Sequence, residues 1–452
     1  MSIMSQIGFS GVNAAQIAMN TTAQNLANLN TPGFSRLTTA FTSVGGQGGR
    51  IGGGVEVSGI RRMTSDFNNQ QLWRAGSQAS YHNGAGQYLG GLEKLMAGEG
   101  SSISVGLDKF FAALSEASTT PENIALRQQI ISEARNLTQR FNGLNRNISD
   151  QLGDLRQQRS SMTSEVNGVA ANIAVLNRRI ADAQATGQDS SALRDQRETL
   201  VAELGQFAEL RVRENPSGAL DISFANGQPL VAGNTAATLQ VTTLADGAQQ
   251  LSLSFAGTAF PLQQERLGGS LGALHRMETE QLLPTRAALR EMAGEMAAAI
   301  NATLATGFDL DGNPGQALLS FNPANGQLEL TDLRPEQLAF SSVAGEHGNN
   351  EVLLALLELK NREISIGGRP VMLNDAYAGL LGNVASASRQ NLEDFKTAMG
   401  VLEHAQNQRD SLSAVSENEE AINLMTFQRT YQANMKVIET ANQLFDSMLA
   451  AF

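Results

Sequence analysis

The C-terminal stretch of the chain, residues 424–448, reads LMTFQRTYQANMKVIETANQLFDSM. Its apolar residues recur three and four positions apart, which is the spacing of a coiled-coil seam with one polar position that sets the register. The seam positions are Leu424, Phe427, Tyr431, Asn434, Ile438, Ala441, Phe445, Met448 and Phe452. A single amphipathic helix on a globular core would explain part of this pattern. The unbroken spacing favours a long coiled-coil helix at the C terminus.

The free energy of such a helix predicts how it behaves in the free chain. Burying one large apolar side chain contributes roughly 1.5–3 kcal/mol. Ordering the backbone costs about 1–2 kcal/mol per residue, and hydrogen bonds offset that cost only partly. The seam is therefore marginal unless a partner adds further burial. We expect the terminal segments to be disordered in the free chain and ordered on assembly.

The N-terminal segment has no charged side chain before Arg36. Basic residues that would open a secretory signal are absent, and polar residues interrupt any run long enough to span a membrane. With these two possibilities excluded, the segment is predicted to be a helix with two neighbouring stripes of mostly apolar residues at helical spacing. They comprise Phe9, Val12, Gln16, Met19, Ala23 and Leu26, and beside them Ile3, Ile7, Ala14 and Ile17. A chargeless helix with two such stripes should be covered on several sides.

The middle of the chain is predicted to be a bundle of long helices with a small β insertion. One long helix is expected from Pro121 to about Thr186, with an apolar heptad from Met162 to Ala183. The pattern then changes to period two, with turn signals at Asn215-Pro216-Ser217-Gly218, Asn226-Gly227 and Asp246-Gly247. The predicted fold class is mainly α with a β insert. The predicted domains are a terminal helical domain (1–60, with a hinge or hairpin, and 417–452), a long-helix bundle (61–207 and 266–416) and an inserted β domain (208–265).

Composition limits the possible functions. The 452 residues have a net charge of -12, which argues against nucleic acid and anionic membranes as partners. The chain has no cysteine and only four histidines, so thiolate chemistry is excluded and a multi-histidine metal site is not expected. Aromatic residues make up 5% of the chain, which suits long helices packed through aliphatic seams.

Two short motifs could in principle carry chemistry. Gly268-Gly269-Ser270-Leu271-Gly272 matches the nucleophile elbow of a hydrolase, for which His347 or His404 would have to act as base. The long helical region before it replaces the alternating strands and helices that such an enzyme needs, so we predict a turn at a domain junction. Residues 309–313 resemble the start of a calcium loop, but Pro314 and Ser320 occupy the positions that need Gly and Glu. We predict no metal and no cofactor.

The two ends of the chain together resemble one family. The stretch from Asn25 to Phe34, NLANLNTPGF, is similar to the N-terminal signature of the bacterial flagellar rod, hook and hook-associated axial proteins. FQRTYQAN at residues 427–434 resembles their C-terminal signature. The signature turn consists of Asn28, Thr31, Pro32, Gly33 and Phe34. The helical middle and the segments 268–274 and 307–315 resemble the hook-associated members at the junction between hook and filament. Rod and hook proteins have a mostly β middle.

The resemblance implies a structural subunit, without catalysis, that forms a ring between hook and filament. Its implied partners are other copies of itself, the flagellar hook protein, a second hook-associated protein, a chaperone on the C-terminal helix and the flagellar type III export apparatus. It implies an extracellular, secreted location in the flagellum, without membrane insertion. By analogy Ile3, Ile7, Val12, Ile17 and Leu26 would pack with Phe427, Tyr431, Ile438, Phe445 and Met448. Another axial component, such as a hook or rod protein, is the near alternative, and a secreted serine hydrolase using Ser270 is the distant one.

Overall fold

A computed structural model describes residues 3–45, 52–244 and 248–450. Phe452, the Asp246-Gly247 turn and most of the glycine-rich hairpin tip lie outside these ranges. The helices are α1 (Ile3–Ala27), α2 (Asp66–Ala97), α3 (Ile103–Ala117), α4 (Ile124–Ala185), α5 (Ser191–Phe207), α6 (Gly269–Arg276), α7 (Leu283–Leu304), α8 (Glu351–Glu358), α9 (Leu373–Ser413) and α10 (Glu417–Ala450).

The strands form small antiparallel sheets. They are β1 (Leu37–Val44), β2 (Gly54–Arg62), β3 (Leu210–Glu214), β4 (Leu220–Phe224), β5 (Pro229–Ala232), β6 (Thr235–Ala236), β7 (Thr238–Thr243), β8 (Gln249–Phe255), β9 (Thr258–Pro261), β10 (Leu319–Asn322), β11 (Gln327–Leu330), β12 (Glu363–Ile366) and β13 (Arg369–Met372). Strands β1 and β2 pair as a hairpin with an irregularity in register between Ala40 and Phe41. The mainly α fold class with a β insert is therefore confirmed.

The chain separates into two compact units. The terminal unit comprises Met1–Ser80, Thr163–Gly269 and Thr397–Phe452, and the central unit comprises Tyr81–Met162 and Ser270–Lys396. The unit boundaries fall within α2, α4 and α9 and at the start of α6, so each of these helices contributes residues to both units. The three-part division expected from the sequence stays a prediction, although β3 to β9 fill the expected 208–265 segment.

The central unit contains an aliphatic core. Leucines from α2, α3, α4 and α7 pack with a few aromatic side chains, as the low aromatic content suggested. Tyr377 is fully buried there and its hydroxyl donates to the Met96 carbonyl at 2.6 Å. Burial raises the pKa of Tyr377 to about 12. Helix α4 begins later than expected from Pro121, because the Asn123 side chain accepts a hydrogen bond from the Ala125 amide and caps the helix there.

The predicted heptad in the second half of α4 is buried in the terminal unit from Val166 onward, while Met162 is half-buried in the central unit. Val166, Ile173 and Ile180 are inaccessible to solvent. Asn177, between them, is fully buried, and its amide binds the backbone of the β region. Its Nδ2 donates to the carbonyls of Leu220 and Gly233, and its Oδ1 accepts from the Leu220 amide and Arg197. Burial lowers the pKa of Arg197 to about 10, and Glu214 partly opposes that shift.

Asn177→Ala should destabilise the terminal unit by about 2–3 kcal/mol, because it leaves buried backbone groups of Leu220 and Gly233 without partners and removes one hydrogen bond of the buried Arg197 guanidinium. The measurement is thermal or denaturant unfolding of the full chain. Asn172→Ala is the matched control: Asn172 is exposed on the same helix and should change stability by less than about 0.5 kcal/mol. Equal effects of the two substitutions would contradict the role assigned to Asn177.

Candidate assembly site

Helices α1 and α10 lie side by side and run in opposite directions. Gly8 is level with Ile438, Gly11 with Asn434, and Asn25 with Glu420. A Cβ atom added to Gly11 would lie 2.4 Å from the Asn434 Oδ1 atom. Glycine at this position therefore allows the two helices to approach closely.

The face of α1 that is buried consists mostly of small residues. They are Ser5, Gly8, Gly11, Val12, Ala14, Ala15, Ala18, Thr21, Thr22 and Asn25. The sequence pattern had emphasised the large residues instead, yet Phe9 is 67% exposed and Ile3 56%. Small residues permit a short distance between helix axes, while the larger residues remain on the outer faces.

The structure brings only part of the predicted seam together within one chain. Among the predicted residues of α1, Val12 is buried, Ile7, Ile17 and Leu26 are half-buried, and Ile3 is exposed. On α10, Phe427, Tyr431, Asn434 and Ile438 are half-buried, whereas Leu424, Phe445 and Met448 are exposed. Within α10, only Glu420 and Ala441 are buried. Packing of the exposed residues in an assembly stays a prediction.

The β1–β2 hairpin also contacts both terminal helices. The amide of Val55 donates to the Ser10 hydroxyl at 3.1 Å, which joins the hairpin to α1. The rings of Phe41 and Phe427 lie 6.3 Å apart between centroids, which joins it to α10. The hairpin therefore packs against both helices of the pair.

The signature turn has the geometry of a type II turn. Gly33 has φ +80°, and the amide of Phe34 donates to the Thr31 carbonyl at 3.2 Å. Asn28 ends α1: its Nδ2 donates to the Gln24 carbonyl, and its Oδ1 accepts from the Thr31 hydroxyl. Pro32 is exposed at the second position of the turn, where its fixed φ is suited.

Gly33→Ala should lower stability by about 2 kcal/mol, since an L residue is strained at positive φ. The new Cβ would in addition lie 2.4 Å from the Thr199 hydroxyl on α5. Gly227→Ala provides a control, because Gly227 has φ +89° with no atom near the added Cβ. Denaturant unfolding should show the larger loss for Gly33→Ala. Equal losses would show that contact with α5 contributes nothing.

A buried polar network at the base of the helix pair was missed in the sequence. Asn25 is 1% exposed, and its side chain bonds both backbone groups of Leu37 as well as the carboxylate of Glu420. The Arg36 Nε atom lies 2.7 Å from the Glu420 carboxylate, and its Nη1 atom lies 2.6 Å from the Glu419 carboxylate. The sequence signals that could have suggested this network are Arg36, the first charge of the chain, and the acids Glu419 and Glu420 in the first turn of α10.

A second ionic cluster holds the signature turn from the other side. Arg62, at the end of β2, lies 2.6 Å from Asp195 and 2.9 Å from Glu198 on α5. The amide of Ser35 donates to the same Asp195 carboxylate. Burial raises the pKa of Glu198, and Arg62 opposes this shift. The turn is thereby fixed between α5 and the base of α10.

The two motifs considered for chemistry have structural roles in the described chain. Gly268 and Gly269 both have positive φ, and a 3-10 helix (Gln264–Arg266), not a strand, precedes Ser270. The Asp309 carboxylate accepts hydrogen bonds from the amides of Asp311 and Asn313 and so closes its own turn. In the described ranges no group of three or more potential acidic or histidine ligands is placed to hold a metal. None of the helices in those ranges has the length and hydropathy of a membrane span.

Comparison with known families identifies the class first. The C-terminal family of flagellar basal body rod FlgEFG proteins matches residues 406–451, and the flagella basal body rod protein family matches residues 6–34. Both matches lie on the paired terminal helices and the signature turn. The chain thus has the ends of a flagellar axial component.

The middle of the chain then gives the particular family. The helical domain of flagellar hook-associated protein FlgK matches residues 89–319, about half of the chain. This chain belongs to the flagellar hook-associated protein FlgK family, whose members are structural flagellar components.

Individual relatives agree with this assignment. Flagellar hook-associated protein 1 of Salmonella typhimurium is 27% identical over 99% of this chain and all of the relative. The Escherichia coli protein of the same name is 28% identical with the same coverage, and the Bacillus subtilis one is 24% identical. The Salmonella alignment runs over 552 positions against 452 residues here, so that relative contains segments this chain lacks. The structure of the flagellar hook junction protein FlgK from Burkholderia pseudomallei shares the fold, with a TM-score of 0.69 over 76% of this chain and all of that one, at 16% identity.

Proposed function

We propose that this chain is a structural subunit of the junction between the flagellar hook and the filament, and that it assembles there through its terminal helices. The observation that carries this proposal is the uncovered surface of α10. That helix has 34 residues, of which only Glu420 and Ala441 are buried in the single chain. Several of its large apolar side chains are exposed, including Met425, Leu444, Phe445 and Met448. Copies of the chain and its axial neighbours would cover them.

The free-energy balance supports the same proposal. Each large apolar side chain buried on assembly contributes roughly 1.5–3 kcal/mol. Without that burial, α10 depends on hydrogen bonds and a half-buried seam to offset about 1–2 kcal/mol of backbone entropy per residue. Charge is absent from α1, so neighbouring subunits could cover its outer face without desolvating an unpaired charge.

The remaining partners are those that the resemblance to the axial family implies, and the exposed helix supports one of them, a chaperone. The exposed apolar side chains of α10 would be prone to aggregation before export. A chaperone bound to this C-terminal helix would shield them from water. Export through the flagellar type III apparatus would take the chain to an extracellular position between the hook protein and a second hook-associated protein. The mostly helical middle favours this position over that of a hook or rod protein, whose middle is mostly β. A 3-10 helix directly precedes the glycines before Ser270, where a hydrolase elbow needs a strand, and this argues against the hydrolase alternative.

Electron microscopy of cells from which the gene has been deleted tests the proposal. We expect intact hooks without filaments. The full chain should restore the filaments, and a chain without residues 417–452 should not. Normal numbers of filaments on the deletion cells would contradict the proposed function.

A further inference from the structure

The last two turns of α10 extend past the start of α1. Asn25 lies level with Glu420 and Gly11 with Asn434, so equal numbers of residues separate these pairs on both helices. By this register Ile3 lies level with about residue 442, given the same rise per residue in both helices. Residues 444–450, called the overhang here, therefore have none of the described residues of α1 opposite them.

The overhang has one apolar face. Leu444, Phe445, Met448 and Leu449 are each more than half exposed. At about 100° per residue these four side chains share one side of the helix. Gln443 lies on the opposite side, just before the overhang begins.

A groove of similar character lies between α1 and the β1–β2 hairpin. It has a volume of about 620 Å³, and its apolar lining includes Phe9, Ile17, Val44 and Val55. The lining residues of α1 span positions 6–17, roughly three turns or 16 Å of helix. Among the described residues that line it, Glu56 is the single charged one. A two-turn apolar helix end, about 11 Å long, fits within the length of this groove and shares its mostly apolar character.

One chain cannot bring the two surfaces together. Asn13 in the groove lies level with about residue 432 of α10, and Met448 is roughly 24 Å further along the helix axis. Both surfaces are present once in every copy, so a contact between copies would use one of each in a head-to-tail arrangement. We infer that the overhang of one copy docks into the α1–hairpin groove of a second copy. This inference rests on the proposed function, which brings many copies together at one place.

Engineered cysteines test the docking directly, because the native chain has none. The variant Asn13→Cys/Met448→Cys is expressed in deletion cells and oxidised in place. Both residues are exposed, so the substitutions should not disturb folding. A disulfide requires Cα atoms within about 7 Å, so any link must join two copies. We expect a ladder of covalent oligomers on a non-reducing gel probed for this chain.

Asn13→Cys/Gln443→Cys is the matched control, because residue 443 is on the opposite side of the helix. Its ladder should be at least about fivefold weaker, since the geometry of a disulfide does not tolerate the wrong face. Equal ladder yields from the two variants would overturn the docking. The docking would also be overturned if cells with the Asn13→Cys/Met448→Cys variant carry attached filaments but give no ladder. Neither result would contradict the proposed function. Failure of the wild-type gene to restore filaments would instead overturn the proposed function.

Discussion

Gly11→Leu is expected to remove most filaments from their hooks. The first atom of the new side chain would lie 2.4 Å from the Asn434 amide, which is itself held by a 2.9 Å hydrogen bond to the Thr430 carbonyl. The Asn434 side chain must then shift and lose that hydrogen bond, or helices α1 and α10 must separate to hold the added leucine. Overpacking costs about 1–3 kcal/mol per site, and about 1.4 kcal/mol is tenfold in an equilibrium constant. Because every subunit carries the change, we expect at least about a tenfold loss of attached filaments.

The matched control for this change is Gly153→Leu. Gly153 is exposed on α4, which is not part of the terminal helix pair, and no atom lies within 4 Å of a Cβ added there, so the same added volume can extend outward. Counting filaments per hook by electron microscopy compares the two variants, with export confirmed by the amount of chain outside the cells. Normal filament numbers for Gly11→Leu would show that close approach of the two helices is not needed for assembly.

Glu420→Ala is expected to cost the terminal helix pair about 3–5 kcal/mol, the range for removing one partner of a buried ion pair. The Glu420 carboxylate is 2% exposed and contacts both Arg36 and Asn25. Its loss leaves the guanidinium and the buried amide without their shared acceptor. The expected result is release of filaments at a lower temperature, measured by heating isolated hook–filament structures.

Glu419→Ala separates burial from charge in this comparison. Glu419 pairs with the same arginine, but its side chain is 60% exposed. Exposed ion pairs contribute about 0–1 kcal/mol, so this variant should release filaments at nearly the wild-type temperature. If both variants release filaments at the same temperature, burial of Glu420 in the network adds no stability beyond the loss of one negative charge.

The sequence predicted α10 better than α1, for a physical reason. Alternating three and four spacing identified Asn434 and Ile438, which lie against α1, and Phe427, whose ring lies near Phe41 of the hairpin. On α1 the same method gives weight to large apolar residues, whereas the face in contact with α10 is built around Gly8 and Gly11. Two helices pack closely where the side chains between them are small. Hydrophobic periodicity gives weight to large apolar residues, so it does not identify a contact made by glycines.

Polar contacts between residues far apart in the sequence could not be predicted from local sequence patterns either. The bond between Asn25 and Glu420 joins residues 395 positions apart. Charges within one helix can be assigned to its dipole, but a partner from the far end of the chain is visible only once the helices are placed. The signature turn, by contrast, was predictable because Pro32 and Gly33 fix its backbone angles locally.

Hydrogen exchange of the dilute, full-length chain tests the central claim most directly. The claim is that contacts between copies, rather than contacts within one copy, keep α10 folded. We expect the backbone amides of residues 421–450 to exchange almost without protection in the monomer, while those of α4 are strongly protected. The same C-terminal amides should become protected once the chain is incorporated between hook and filament. Protection of α10 in the monomer equal to that of α4 would contradict the claim.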